Sequence, residues 1–413
     1  MACGLALALL APPCPWAHAA DPQYLAFQLF TYEPGTTGPL SFDRPLVARL
    51  IDDILAHLDG RRGDGIHTQL AFAVGPLTLD HTDRDIREAI RESFALAAEK
   101  QVAVVFHLDD SMFWKRRPDL WDVSVNPGNI NNIEWTDWNH AAYPRRIIGW
   151  LPPELRLAPL MCYESPRIKR EVARRARLIG AEIARGIRAL DQRGHGHLFG
   201  GVIAGWETRL DDDNPAHPAV GYCALSRLGY SAHKPPASID QALATVVHDF
   251  AAVWTTSLAS AGVPSDKIYT HMAVTAAHMH APLWTAFNAS AHPGFTVYPS
   301  DDTAFAVVYD NVAQHRRSRW ALAEGTNVAL EDAFAGSGSS SSMSWESYLE
   351  RAFNHGATLV NLFGWQGPDT PFGHATRSPE AIAAYRQFLQ GDTVRERSSD
   401  VRDRPVPGRG HVV

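Results

Sequence analysis

The chain has 413 residues, 45% hydrophobic and 20% charged, enough to bury a large core as one barrel with insertions or as two domains. A formal net charge of −7 leaves no basic footprint, so neither a nucleic-acid partner nor binding to an anionic membrane surface is expected. The 12 Trp and 11 Tyr supply flat aromatic faces, which suit the apolar faces of sugar rings and equally the core and loops of a large barrel.

Residues 1–20 read as an export signal. Residues 5–11 are a short apolar region and Ala17-His18-Ala19 is a small-x-small cleavage site, although the usual N-terminal Lys or Arg is missing. The apolar run is too short to span a bilayer, and Cys14 after Ala11-Pro12-Pro13 is a poor context for lipid attachment, so a secreted or periplasmic chain without a membrane anchor is expected. After cleavage Cys162 and Cys223 remain, either as a disulfide tying two insertions together or as two buried thiols.

The remainder, residues 21–391, reads as repeated strand and helix. Residues 24–32 form an aromatic-rich first strand closed by Glu33-Pro34-Gly35, and apolar residues at helical spacing follow over 46–58. A second strand over 68–74 ends at Gly75-Pro76, an amphipathic helix spans 83–99, and 102–108 is a third strand apolar enough to be buried on both faces. Strand then helix, repeated, is the mark of a parallel sheet. Residues 109–166 break that rhythm with Trp114, Trp121, Trp135, Trp138 and Trp150, so a long insertion is expected, either stacking sugars or capping the barrel. A charged helix over 167–190 leads to a fourth strand over 197–206, which delivers Glu207. A second insertion, 208–236, contains Asp211-Asp212-Asp213-Asn214, whose oxygens suit calcium but lack the spacing of a known calcium loop.

Helix returns over 239–261, with strands over 267–271 and 294–298 and a helix over 302–314. The seventh strand, beginning near Arg319, ends at Glu324, ahead of the Gly-Ser run over 336–342. A helix over 345–355, an eighth strand over 357–365 and a closing helix over 379–389 complete the count, and 392–413 reads as a disordered tail. The fold class is therefore α/β, a (β/α)8 TIM barrel with long insertions after strands three and four.

In such a barrel the chemistry sits at the C-terminal strand ends. Those ends are Glu33, His107, Asp109, Glu207, His271, Tyr298, Glu324 and Trp365. Glu207 and Glu324 lie three strand-helix repeats apart, so both face the same end of the barrel. Two carboxyl groups across a cleft are what acetal hydrolysis needs, one to protonate the leaving oxygen and one to attack or stabilise the anomeric carbon. His107 and His271 read equally as ligand contacts or satisfied core histidines, and Asp109 as a sugar contact or a solvated loop acid.

The pattern resembles the clan of retaining TIM-barrel glycoside hydrolases whose acid/base glutamate ends strand four and whose nucleophile ends strand seven. The resemblance implies Glu207 as acid/base, Glu324 as nucleophile, Tyr298 as the tyrosine that hydrogen-bonds the nucleophile, and Trp365 as the tryptophan flooring the sugar site. It implies a carbohydrate substrate and no cofactor or metal. Where that clan commonly has Asn before the acid/base residue, this chain has Trp206, so Trp206 replaces it as a substrate contact or Glu207 has another role. Retention, with carboxyl groups about 5–5.5 Å apart rather than about 6.5–9.5 Å, follows from the resemblance alone. Two rival readings are a metal-dependent barrel hydrolase, suggested by His278-Met279-His280, and a secreted carbohydrate-binding barrel without catalysis. For Glu207 to begin protonated, the charge of Glu324 must raise its pKa.

Overall fold

The computed structural model describes residues 22–31, 40–148, 155–210, 220–274, 281–299, 303–328 and 343–390. The export signal, Glu33, Trp150, the 211–214 acidic run, His278 and His280, the Gly-Ser run and the tail lie outside the described residues.

Eight parallel strands pair in chain order: β1 (Gln23–Phe30), β2 (Thr68–Leu77), β3 (Ala103–Leu108), β4 (Phe199–Ala204), β5 (Ile268–Thr270), β6 (Gly294–Val297), β7 (Trp320–Gly325) and β8 (Ala357–Leu362). The ring closes through the fifth position. There β5 pairs with β4, His271 interrupts the strand, and its continuation Met272–Ala273 pairs with β6. β1 joins β8 on the other side. The second strand runs through Gly75-Pro76 to Leu77 instead of stopping there. Leu77 still pairs with Leu108 after a register shift, so the proline sits at an irregularity in the ladder.

The outer layer consists of α1 (Arg44–His57), α2 (Asp83–Lys100), α3 (Pro166–Asp191), α4 (Ile239–Ser260), α5 (Thr303–Gln314), α6 (Trp345–Phe353) and α7 (Pro379–Gln390). Their starts follow the capping rules: Thr82 and Asp85 form a reciprocal capping box on α2, and Ser165 caps α3 ahead of Pro166. Between β5 and β6 the described residues contain a 3-10 turn, Leu283–Ala286, in place of a full helix.

Strand side chains alternate between the two sides. Tyr24, Ala26, Ala71, Ala73, Val105 and Tyr269 fill the interior of the barrel, whereas Leu25, Phe27, Leu70 and Phe72 pack outward against the helices. Burial on both faces is why these strands read as unbroken apolar runs. Most of the interior residues are small, so the two tyrosines carry much of the filling. Tyr24 donates to the His197 carbonyl at 3.1 Å, and the Tyr269 hydroxyl lies 2.9 Å from Thr358 Oγ1.

The two insertions lean on each other. Cys162 and Cys223 form a disulfide with Cα atoms 5.8 Å apart. The buried Glu134 accepts from the Cys223 N–H at 3.1 Å, at the start of the short helix Tyr222–Arg227. Trp114 and Trp135 are enclosed, donating to the carbonyls of Pro159 and Ile130, which makes them the packing of the insertion rather than free stacking surfaces.

Candidate active site

Glu324 is aimed by an irregularity in its own strand. In β7, Ala321 pairs with Gly294 and Leu322 with Phe295, but it is Glu324 that pairs with Thr296. Ala323 is therefore an extra residue, a bulge. Leu322 and Phe295 both face the helix layer, while Thr296 faces inward and bonds His271. Strict alternation would send Glu324 outward with Leu322. The added residue turns it into the barrel beside Ala323.

The Tyr298 hydroxyl donates to Glu324 Oε1 at 2.8 Å, while Oε2 is buried without a partner among the described residues. Glu324 is only 6% exposed. Burial first, and the charge of Glu207 second, push its pKa up to about 8 against the lowering effect of the Tyr298 bond. The same two causes, burial foremost, hold the Tyr298 hydroxyl well above its ordinary range, with Glu324 and Glu207 both contributing. The two carboxyl groups thus converge at one end of the barrel, close enough to act on each other.

Glu207 lies just past β4, in a turn, with φ of 53°, and its side chain is 22% exposed. Arg209 Nη1 lies 3.4 Å from its Oε2. The turn is fastened to neighbouring strands: Gly205 N–H donates to the Leu108 carbonyl at 3.2 Å and Thr208 N–H to the His271 carbonyl at 3.2 Å. The desolvation falls on Glu324, which is enclosed at its strand end, and the neighbour's charge adds to it there.

His107 and His271 belong to a polar layer beneath this pair, together with Gln28 and Asn361. Gln28 Oε1 accepts from Asn361 Nδ2 at 2.9 Å and lies 2.7 Å from His107 Nδ1. His107 Nε2 is 3.0 Å from His271 Nδ1, which also lies 3.2 Å from the Gly205 carbonyl, and His271 Nε2 is 2.6 Å from Thr296 Oγ1. One assignment satisfies every contact: His107 donates from Nδ1, His271 donates from Nδ1, Thr296 donates to His271, and both rings are neutral. Burial lowers both histidine pKa values, that of His271 to about 3. Their nitrogens are engaged within the protein, so as contacts for a ligand they are displaced to a supporting layer.

Asp109 is enclosed as well. Its Oδ1 accepts from the N–H groups of Ser111, Met112 and Phe113, at 3.0, 2.7 and 3.3 Å, and burial followed by the Asp110 charge raises its pKa to about 7. Trp365 departs furthest from expectation. Fully buried, it donates to Asp53 of α1 at 3.0 Å, meets Phe27 edge-on at 4.9 Å and carries Arg377 over its ring at 4.3 Å. It packs between barrel and helices, on the wrong side of the strand to floor a sugar site.

Other rings take the place around the carboxylates. Trp206 stacks on His107 at 4.3 Å and on Phe30 at 6.0 Å. Phe30 meets Phe363 at 6.0 Å, Phe363 meets Phe372 at 5.4 Å, and Phe372 meets Tyr298 at 5.6 Å. This arc runs from the Glu207 turn past the ends of β1 and β8 to the tyrosine on Glu324. Phe30, Phe363, Phe372 and Tyr298 are half-buried. Gln366 fixes the arc by bonding both ways with the Phe30 backbone, at 2.5 and 2.9 Å. Phe30 and Phe363 stand directly at strand ends, the signal by which they were legible, but Glu33 and Trp365, slightly further on, drew attention instead. Among the described residues, no three His, Cys, Asp or Glu side chains gather as metal ligands. No described helix is long and apolar enough to cross a membrane.

No protein-family model and no curated protein sequence matches the chain. Among solved structures it is similar to the catalytic domain of a β-amylase from Paenibacillus polymyxa, with TM-score 0.53 and 10% identity over 90% of this chain and 99% of that one. A broad specificity endoglucanase from an uncultured bacterium gives 0.42 at 8% identity over 84% of each chain. A D-psicose 3-epimerase from Clostridium cellulolyticum gives 0.38 at 9% over 90% of this chain and 99% of that one. At such identities the likeness is one of fold: the chain is a TIM barrel, similar in architecture to TIM-barrel glycoside hydrolases.

Proposed function

We propose that the chain is a secreted glycoside hydrolase that cleaves O-glycosidic bonds of an oligo- or polysaccharide by a retaining double displacement. The observation that carries this reading is that Glu324, at the end of β7, accepts from Tyr298 at 2.8 Å and lies within reach of the charge of Glu207, just past the end of β4. The half-buried arc of Phe30, Phe363 and Phe372 beside them offers aromatic faces to a sugar. The disulfide between the insertions supports an oxidising compartment.

Burial keeps a proton on the resting Glu324. Passing that proton to Glu207 leaves the net charge unchanged and creates the reactive form, a carboxylate facing a carboxylic acid. Glu324 then attacks the anomeric carbon and forms a glycosyl ester, while the bond to the leaving oxygen breaks and takes the proton from Glu207. Water, deprotonated by Glu207, next opens the ester, freeing the sugar and restoring Glu324. Tyr298 stabilises the ionised Glu324 before attack and after release.

The raised Glu324 also favours a second reading, in which Glu324 donates the proton and Glu207 activates water for a single inverting displacement. Turnover of a panel of aryl glycosides, with the first-formed anomer followed by NMR, separates the two. A β-product from a β-glycoside supports double displacement, an α-product supports inversion, and no cleavage by the intact protein, with sugar binding retained, identifies a binding barrel.

A further inference from the structure

The turn carrying Glu207 is held from outside its own strand, by the insertion that begins after β3. Asp110, 1% exposed, brackets Glu207 with its two oxygens: Oδ1 accepts from the Trp206 N–H at 3.3 Å and Oδ2 from the Thr208 hydroxyl at 2.5 Å. The residue between these anchors is in the left-handed region, φ 53°, where residues with a Cβ are seldom found unless their surroundings hold them. Space behind the turn is closed too, since a Cβ on Gly205 would lie 2.7 Å from Thr208 Oγ1. At its far end the same insertion returns to this segment. Tyr163, stacked on Phe250 of α4 at 3.8 Å, donates to the Arg209 carbonyl at 2.8 Å, and Arg209 reaches Glu207 Oε2.

We propose that Asp110 is a positioning residue for Glu207: its carboxyl group holds the Trp206 backbone on one side of the left-handed residue and the Thr208 side chain on the other, and so sets where the Glu207 carboxyl stands relative to Glu324. The clamp acts through Trp206 and Thr208 and touches no substrate. It rests on the reading of Glu207 as a reacting group only for its effect on rate, because its effect on the turn is a matter of structure.

The test pairs harsh and mild variants. Asp110→Ala removes both anchors; Asp110→Asn keeps one acceptor for Trp206 and a polar partner for Thr208. Thr208→Val removes the hydroxyl alone at nearly constant volume, and Thr208→Ser restores it. Crystal structures of Thr208→Val and Asp110→Ala are expected to show Glu207 leaving the left-handed region, with Thr208→Ser and Asp110→Asn retaining it. On an aryl glycoside that the parent protein cleaves, kcat is expected to fall about 10²-fold in Asp110→Ala with KM changed less than about threefold, and to recover most of that loss in Asp110→Asn. A left-handed Glu207 and parental kcat in both Asp110→Ala and Thr208→Val overturn the proposal. If Asp110→Ala does not fold, Thr208→Val against Thr208→Ser decides by the same two measurements. If the parent protein cleaves no glycoside, the hydrolase reading fails by itself, and the Glu207 conformation in the variant structures still decides for or against the clamp.

Discussion

Tyr298 donates a hydrogen bond to one oxygen of Glu324, and the other oxygen is enclosed with no partner among the described residues. An acceptor buried without a donor is costly in the ionised form, and that cost keeps Glu324 protonated to about pH 8. The tyrosine works in the opposite direction. Its hydrogen bond lowers the Glu324 pKa.

Tyr298→Phe should therefore move the Glu324 pKa further up. In the pH profile of kcat/KM on an aryl glycoside, the limb set by Glu324 ionisation is expected to shift to higher pH, with the maximal rate lower by about 10²-fold. An unshifted limb would show that the hydroxyl has no hold on Glu324.

Glu207→Gln removes the charge that is the second cause of the Glu324 shift, leaving burial in place. The Glu324 pKa is expected to fall toward 4.5 without reaching it. Carbon-13 NMR titration of the glutamate carboxyls checks this without any turnover. A Glu324 resonance titrating as in the parent would mean that the two carboxyl groups do not sense each other.

Stability should depend on pH in a specific way. Glu324 and Glu134 titrate near 8 and Asp109 near 7 in the folded chain, all raised chiefly by burial, so each binds a proton that the unfolded chain releases near 4. Raised carboxyls stabilise the fold below their unfolded pKa, and that contribution is lost as pH climbs to the folded value. His81 and His271 run the other way, titrating near 3 when folded and near 6.5 when unfolded, so they lose stability as pH falls below 6.5. The opposing effects largely cancel from about pH 4.5 to 6.5. Urea midpoints are expected to be level across that window and to decline from pH 6.5 to 8. A midpoint that rises through this upper range would contradict the burial of the three acids.

Opening the Cys162–Cys223 bridge removes the covalent tie between two insertions that also meet through Glu134 and the Cys223 N–H and through Tyr163 and the Arg209 carbonyl. The paired change Cys162→Ala with Cys223→Ala is expected to cost about 2–4 kcal/mol in urea unfolding at constant pH. Dithiothreitol should lower the parent midpoint and leave that of the paired variant untouched.

The barrel was legible because its strands are buried on both faces: runs such as 102–108 and 357–362 have no polar residue on a solvent side to blur them. The two insertions were legible as breaks in that rhythm. Less could be read at the strand ends, where a shift of two or three residues exchanges mouth for wall. Trp365 lies only just beyond β8, yet it faces Asp53 in the helix layer, while Phe363 beside it joins the arc. His107 and His271 illustrate a second limit. A histidine on an inward position reads the same whether it meets a ligand or another histidine, and only the assembled layer of Gln28, Asn361 and Thr296 shows which of the two it meets.

The orientation of Glu324 depends on which residue is left out of the strand pairing rather than on a chemical group. Because Ala323 is surplus to the pairing with β6, shortening β7 by that single residue would remove the bulge and leave Glu324 opposite Thr296, facing inward as before. Any search for distant relatives of this chain should accordingly accept a one-residue gap at Ala323, provided the glutamate after it is kept.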